Sequence, residues 1–283
     1  GSSPVSTTTL NEPSRISERA FVCLAAAECA VRTFPLLLLF ACSFDPGDPS
    51  PDATCDGLFG RPSDNTGLDA AVCTETIGDW SPTPWDAEAL DALRRAELVD
   101  PPDVPTDDPY EQPVPDPSDG LVCTVDWRGA DRYELVTVPL TEARSPITHA
   151  GACGLCSSLQ DLAVYAAVPD LAGPVRGCSL QGFTGGLDAV DACLQDLGFS
   201  APCARIWAFN AEHTREQCLD VCLGSLDDPY HQPDGSLNPC IQCDEDESGP
   251  VFKAVAGRTR RNSGLPTALC RPCETVWRVD HER

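Results

Sequence analysis

A histidine and two cysteines share one short stretch, His149-Ala-Gly-Ala-Cys153-Gly-Leu-Cys156, just ahead of Ser158 and an apolar run. Ser158 followed three residues later by Asp161 has the form of a capping box, and Leu159, Leu162, Ala163 and Ala166 fall on one face of a helix. Cys156 then stands at a helix start. Backbone N–H groups and the positive end of the helix dipole stabilise a thiolate there, lowering its pKa and sharpening it as a nucleophile. Such a nucleophile needs a base, and His149 or His213, oriented by Asn210, could supply one. The same position serves equally for a disulfide.

Two further groups of residues carry chemistry. Cys240-x2-Cys243 and Cys270-x2-Cys273 are separated by 26 residues, and four such thiolates could hold zinc tetrahedrally. Zinc is the one cofactor the sequence suggests. Arg258, Arg260 and Arg261, flanked by Gly257, Ser263 and Gly264, form the densest positive charge on a very negative chain. They could cradle a carboxylate, sulfate or phosphate, or pair with the Asp244 to Glu247 run on the same loop system.

Cys153-Gly-Leu-Cys156 resembles the redox dithiol of thioredoxin-like proteins, which implies attack on a disulfide by the first cysteine and resolution by the second. Gly151 to Ser157 also resembles the nucleophile segment of papain-type proteases, which implies a catalytic Cys156 and a bridged Cys153. The two tail pairs resemble a zinc ribbon. Near the N-terminus, Phe34-Pro-Leu-Leu-Leu-Leu-Phe-Ala41 ending at Cys42 resembles a bacterial lipoprotein signal, which implies that Cys42 is lipidated and becomes the mature N-terminus. Leu237 to Glu245 and Gly257 to Leu265 resemble parts of a recurring cysteine-rich family to which no activity attaches.

The elements that must position these residues follow from hydrophobic periodicity. Leu121 to Trp127 and Arg132 to Pro139 are β-branched and aromatic, divided by Gly129, and predict a hairpin. A helix from Ser158 follows. A second is predicted from about Gly186 to Leu197, with Thr184 as cap and Gly198 as stop. The third, about Ala201 to Leu223, is capped by Ser200 and carries Pro202 in its first turn. Its inward stripe is Cys203, Ile206, Trp207, Asn210, Thr214, Cys218, Val221 and Cys222, with Asn210, His213 and Thr214 placing polar groups where apolar ones are expected. Val251 to Ala256 reads as a strand, and Cys270 to Trp277 as a last turn or helix.

Residues 43–120 hold 19 Asp and Glu against three Arg, with many prolines. Such a chain stays extended and reads as an acidic tether, interrupted by a short helix from Asp86 to Glu97. The whole chain carries 44 acidic and 19 basic residues, a formal charge of -25. That field repels nucleic acid and anionic lipid, so membrane contact is expected only through an N-terminal lipid or signal anchor. Seventeen cysteines indicate an oxidising compartment. Fourteen of them follow Cys42, an even number.

The expected protein is therefore an α+β, disulfide-rich compact domain with a small β-hairpin or sheet and three to four helices. That domain spans 121–283, behind a tether at 43–120 and a signal-like extension at 1–42. Cys55, Cys73, Cys123, Cys153, Cys178, Cys193, Cys203, Cys218 and Cys222 are assigned to bridges. Its expected role is an extracytoplasmic binding or structural protein of the cell envelope, with an anionic small molecule or an envelope protein as partner. A thiol-dependent enzyme using Cys156 and a zinc-stabilised module are the alternatives. The site is expected where His149, Cys156, Asn210, His213 and the arginine loop converge.

Overall fold

The computed structural model describes residues 57–115 and 118–281. The signal-like segment 34–42, Cys55 and the beginning of the expected tether lie outside the described residues.

Two short strands, β1 (Leu58–Phe59) and β2 (Cys73–Thr74), come first, then α1 (Ala87–Arg95) and β3 (Glu97–Leu98). The hairpin of β4 (Leu121–Trp127) and β5 (Arg132–Pro139) has the predicted bounds, in register from Leu121 opposite Pro139 to Trp127 opposite Tyr133. β6 (Ile147–Ala150) lies antiparallel on the free edge of β4, and β3 runs parallel to β5. The resulting sheet has the order β3-β5-β4-β6. The helices follow: α2 (Leu159–Ala167), α3 (Ala172–Asp196), α4 (Ala201–Gly224), α5 (Pro239–Cys243) and α6 (Gly249–Ala256). A last strand, β7 (Arg271–Pro272), pairs with β1 in a second sheet of order β2-β1-β7. This is the α+β, disulfide-rich architecture expected.

α3 is two arms. Gly186 sits inside it at φ 67, ψ -166, which no helical residue adopts. Cys178 and Cys193, 15 residues apart, are bridged with their Cα atoms at 5.4 Å. A straight helix would separate them by about 22 Å, so the chain folds back at Gly186. The second arm, 187–196, is the predicted helix. The first arm, 172–185, contains Gly173, Gly177, Gly182 and Gly185, each costing about 1 kcal/mol of helix propensity against alanine. Local sequence therefore conceals it, and the bridge to Cys193 with packing against α4 holds it in place.

The strand expected at Val251 to Ala256 is instead α6. Its β-branched residues suggested a strand, but Val251, Phe252 and Ala256 are buried together on a helix face. Pro250 occupies the first turn, where its missing N–H costs nothing. Between α5 and α6 the residues Asp244–Ser248 form a π-helical segment, so the backbone stays helical from Pro239 to Ala256.

Much of the acidic stretch expected to be an extended tether is packed. Leu93 of α1 joins the main core, which runs through Val125 and Tyr133 of the sheet, Leu159 and Leu162 of α2, Leu194 of α3, Cys203 and Ile206 of α4, and Phe252 of α6. Phe59 and Ile77 form a smaller core with Cys273 and Val276, and Cys73 is bridged to Cys270. Sparse apolar residues and cysteines, paired with partners some two hundred positions away, offset the acidic and proline-rich composition.

Close backbone approach fixes where α6 ends. The Leu155 and Cys156 N–H groups donate to the Val255 and Ala256 carbonyls. A Cβ on Gly257, at φ 74, would fall 2.5 Å from the Gly154 nitrogen. Gly257→Ala should therefore destabilise the fold by about 1–3 kcal/mol in urea denaturation. Gly177→Ala, in the open first arm with nothing within 4 Å, should be neutral or stabilising by up to about 1 kcal/mol.

Candidate functional site

The helix start at Ser158 forms as predicted: its hydroxyl oxygen accepts from the Asp161 N–H at 3.0 Å. Ser200, capping α4, accepts from the Cys203 N–H. One carboxylate joins the two caps. Asp161 takes the Ser158 hydroxyl at 2.5 Å, and the Ser200 N–H and hydroxyl at 2.8 Å each. Burial pushes its pKa up, against the pull of these donors. Between the same helix starts runs the disulfide Cys156–Cys203, and Cys153 is bridged to Cys123 of β4.

These pairings change the chemistry read from the sequence. Cys156 is wholly buried and bonded to Cys203, so in this oxidised structure it is neither a thiolate nucleophile nor half of a Cys153–Cys156 dithiol. The tail pairs do not act together as zinc knuckles: Cys240 bonds Cys222, Cys243 bonds Cys218 and Cys270 bonds Cys73, while Cys273 is also disulfide-bonded. Among the described residues no group of three or more His, Cys, Asp or Glu is arranged to hold a metal ion.

Arg258 belongs to the core. Its guanidinium donates to the carbonyls of Cys156, Thr148 and Ser157 at 2.9–3.1 Å and to the Thr148 hydroxyl at 2.6 Å. Burial lowers its pKa to about 10. It clamps β6 to the start of α2 and is not available to a ligand, which corrects the three-arginine cradle. Arg260 is also committed, to the carbonyls of Tyr165, Val168 and Pro266.

His149 is enclosed beside this clamp. Its Nδ1 lies 2.9 Å from the Ala150 carbonyl, so it must carry the proton, and Nε2 accepts from the Ser157 hydroxyl at 2.7 Å. The pair has the form of a base and a nucleophile, but both residues are fully buried. Burial, followed by the charge of Arg258, drives the His149 pKa down to about 3.

Asn210, His213 and Thr214 meet the π-helical segment. The Thr214 hydroxyl and Asn210 Nδ2 donate to Asp244 Oδ1 at 2.5 and 3.1 Å. Ser248 Oγ lies 2.8 Å from Thr214 Oγ1 and 3.0 Å from His213 Nδ1. With the Thr214 proton on Asp244, the Ser248 proton points to Thr214, leaving His213 Nδ1 to donate to Ser248. His213 is then no base for that serine. Tyr110 closes the group from the acidic stretch, stacked on His213 at 4.2 Å and donating to Asn210 Oδ1 at 2.9 Å.

The expected convergence thus divides in two. His149, Cys156 and Arg258 form a sealed junction, whereas Asn210, Arg260 and Arg261 line a cleft of about 380 Å³ between α3, α4 and the α5–α6 helix. Leu180 and Phe183 of the first arm, with Leu219, Leu223 and Leu226, line it and are largely exposed. Val221, placed inward by the sequence pattern, is exposed. The floor is charged. Arg261 pairs with Glu245 at 2.7 Å, as the acidic-run reading anticipated, and Arg271 and Lys253 join the same carboxylate at 2.6 and 3.0 Å. Burial alone would raise the Glu245 pKa, but these cations hold it down at about 2. Arg271 and Lys253 escaped sequence reasoning, since only the folded tail brings them to Arg261. An apolar i, i+4 pair at Leu219 and Leu223, close to Glu216 and Asp220, was a local signal of the cleft.

The fold and site together define a disulfide-stapled α+β domain with an apolar cleft and a cationic floor. Residues 187–279 match the model of a family of unknown function, DUF8771. The match begins just after the Gly186 turn and includes α4, α5, α6 and the floor residues. No curated protein and no solved structure matches the chain.

Alkylation of the native protein without reductant should label none of Cys153, Cys156, Cys240, Cys243 or Cys270 in mass spectrometry; a labelled Cys156 would restore the thiol chemistry. An unfolded histidine takes up a proton near pH 6.5, whereas folded His149 does so only near 3. Between these values the unfolded state binds more protons, so stability falls as pH drops, by about 1.4 kcal/mol per unit for this group. His149→Asn should flatten the stability–pH slope by up to that amount between pH 6 and 4, roughly, in denaturant titrations. Arg258→Ala should cost about 3–5 kcal/mol, since it leaves buried acceptors unpaired.

Proposed function

We propose that the protein is an extracytoplasmic, disulfide-stabilised binding protein that holds a small ligand in the cleft between α3 and α4. The carrying observation is the cleft itself: about 380 Å³, with exposed leucines and a phenylalanine at its mouth. That volume lies within the range of small-molecule sites, about 300–1,000 Å³. The bridges support an oxidising location, because a chain with six disulfides among its described residues keeps them only outside a reducing cytosol. On this reading the anionic ligand suggested by the arginine loop belongs in the cleft, near Arg261, and not at Arg258. A lipid on Cys42, as the Leu39 to Cys42 run suggests, would anchor the chain to a membrane.

The neutral dye Nile red tests the site. It should gain fluorescence on binding the full chain, and Leu223→Glu, which puts a charge at an exposed position of the cleft lining, should weaken that binding at least tenfold while far-UV circular dichroism stays unchanged. Unaltered dye binding in this variant would remove the cleft from consideration.

A further inference from the structure

We infer that the ligand is a single-chain amphiphile with an anionic head, its head at Lys253, Arg261 and Arg271 and its chain along the apolar wall toward the mouth. This rests on the cleft being a binding site and names what it takes. Three cations surround one carboxylate: Glu245 receives Lys253 at 3.0 Å, Arg261 at 2.7 Å and Arg271 at 2.6 Å. Even counting Asp244, which lines the cleft beside Glu245, three positive charges face at most two negative ones, an excess of at least one at the floor. The excess is not an accident of a basic surface, because the chain as a whole carries a formal charge of -25. Arg258 and Arg260, by contrast, spend their donors on backbone carbonyls.

Partly desolvated cations beside apolar walls favour a ligand that brings negative charge and hydrocarbon together. A hydrophilic anion would leave the wall uncovered. A neutral hydrocarbon would leave the excess charge unpaired. Leu180, Phe183, Leu219, Leu223 and Leu226 line the same cleft and are exposed, so a chain whose head sits at the three cations has apolar side chains to lie against. A volume of about 380 Å³ stands at the small end of ligand sites and suits one aliphatic chain, as in a fatty acid or a lysophospholipid.

The test titrates Nile red-loaded full chain with laurate, lauryl phosphate, lauryl alcohol and lauryltrimethylammonium. Laurate or lauryl phosphate, or both, should displace the dye at concentrations about tenfold or more below the alcohol and the cation, with the advantage shrinking as salt is raised. A preference for laurate assigns the head to a fatty acid, and one for lauryl phosphate to a lysophospholipid-like molecule. Lys253→Gln, at a half-exposed position, should lower anion affinity about three- to tenfold and leave the alcohol and the far-UV circular dichroism unchanged. Glu245→Gln, removing the negative charge that the three cations share, should raise anion affinity. Equal displacement by laurate, lauryl phosphate and the alcohol, or no effect of Lys253→Gln, overturns the head-group assignment while the cleft remains a site. Failure of Nile red to bind at all overturns the cleft reading beneath it. A dimer that neither dye nor laurate can enter gives the leucines to a second copy and overturns the amphiphile as well.

Discussion

Asp161 is the point on which the architecture turns. A single buried carboxylate receives the capping hydroxyls of two helices, and the Cys156–Cys203 bond joins the same two helix starts covalently. Arg258 then ties this junction to β6 through the Thr148 carbonyl and hydroxyl, and to the residues ahead of α2 through the carbonyls of Cys156 and Ser157. Buried charge of this kind is stable only when every donor and acceptor is met. The constraint therefore fixes the sheet, α2 and α4 relative to one another.

The cleft inherits that rigidity on one side only. α4 is anchored at its first turn by the junction and at its far end by Cys218–Cys243 and Cys222–Cys240, which hold α5 against it. The opposite wall is the glycine-rich first arm of α3, folded back at Gly186 and held by Cys178–Cys193. An apolar surface left open between a fixed helix and a disulfide-held arm costs stability, because its side chains stay in water. The bridges offset such a cost by restricting the unfolded chain. Many disulfides and an exposed apolar mouth are thus one solution to one problem.

Charge is arranged with the same economy. The acidic excess lies largely on the outside, including the stretch before β4, where it repels other acids. Glu245 works in the opposite sense, gathering cations from α6, the arginine loop and β7 to one place. Asp244, its neighbour, is drawn toward the neutral form by burial and satisfied by Thr214 and Asn210. Two adjacent acids of the same run therefore have opposite surroundings, one answered by hydroxyl and amide and one by cations.

Residue order along the chain determined the elements whose causes are local. The β4–β5 hairpin, the Ser158 and Ser200 caps, α4 with Pro202 in its first turn and the oxidised state of the cysteines all follow from neighbours within a few positions or from composition. The sequence also singled out Asn210 and His213 as polar residues where apolar ones are expected, without saying what they met, and it offered the Asp244 to Glu247 run as a partner for Arg261. Tertiary structure alone decided the rest. Which sulfur bonds which, why Arg258 is buried while Arg261 faces the cleft, why 251–256 is a helix and why an acidic stretch is packed all depend on partners far away in the chain. Pairing over such distances is set by burial and steric fit in three dimensions, and neither leaves a periodic trace in one.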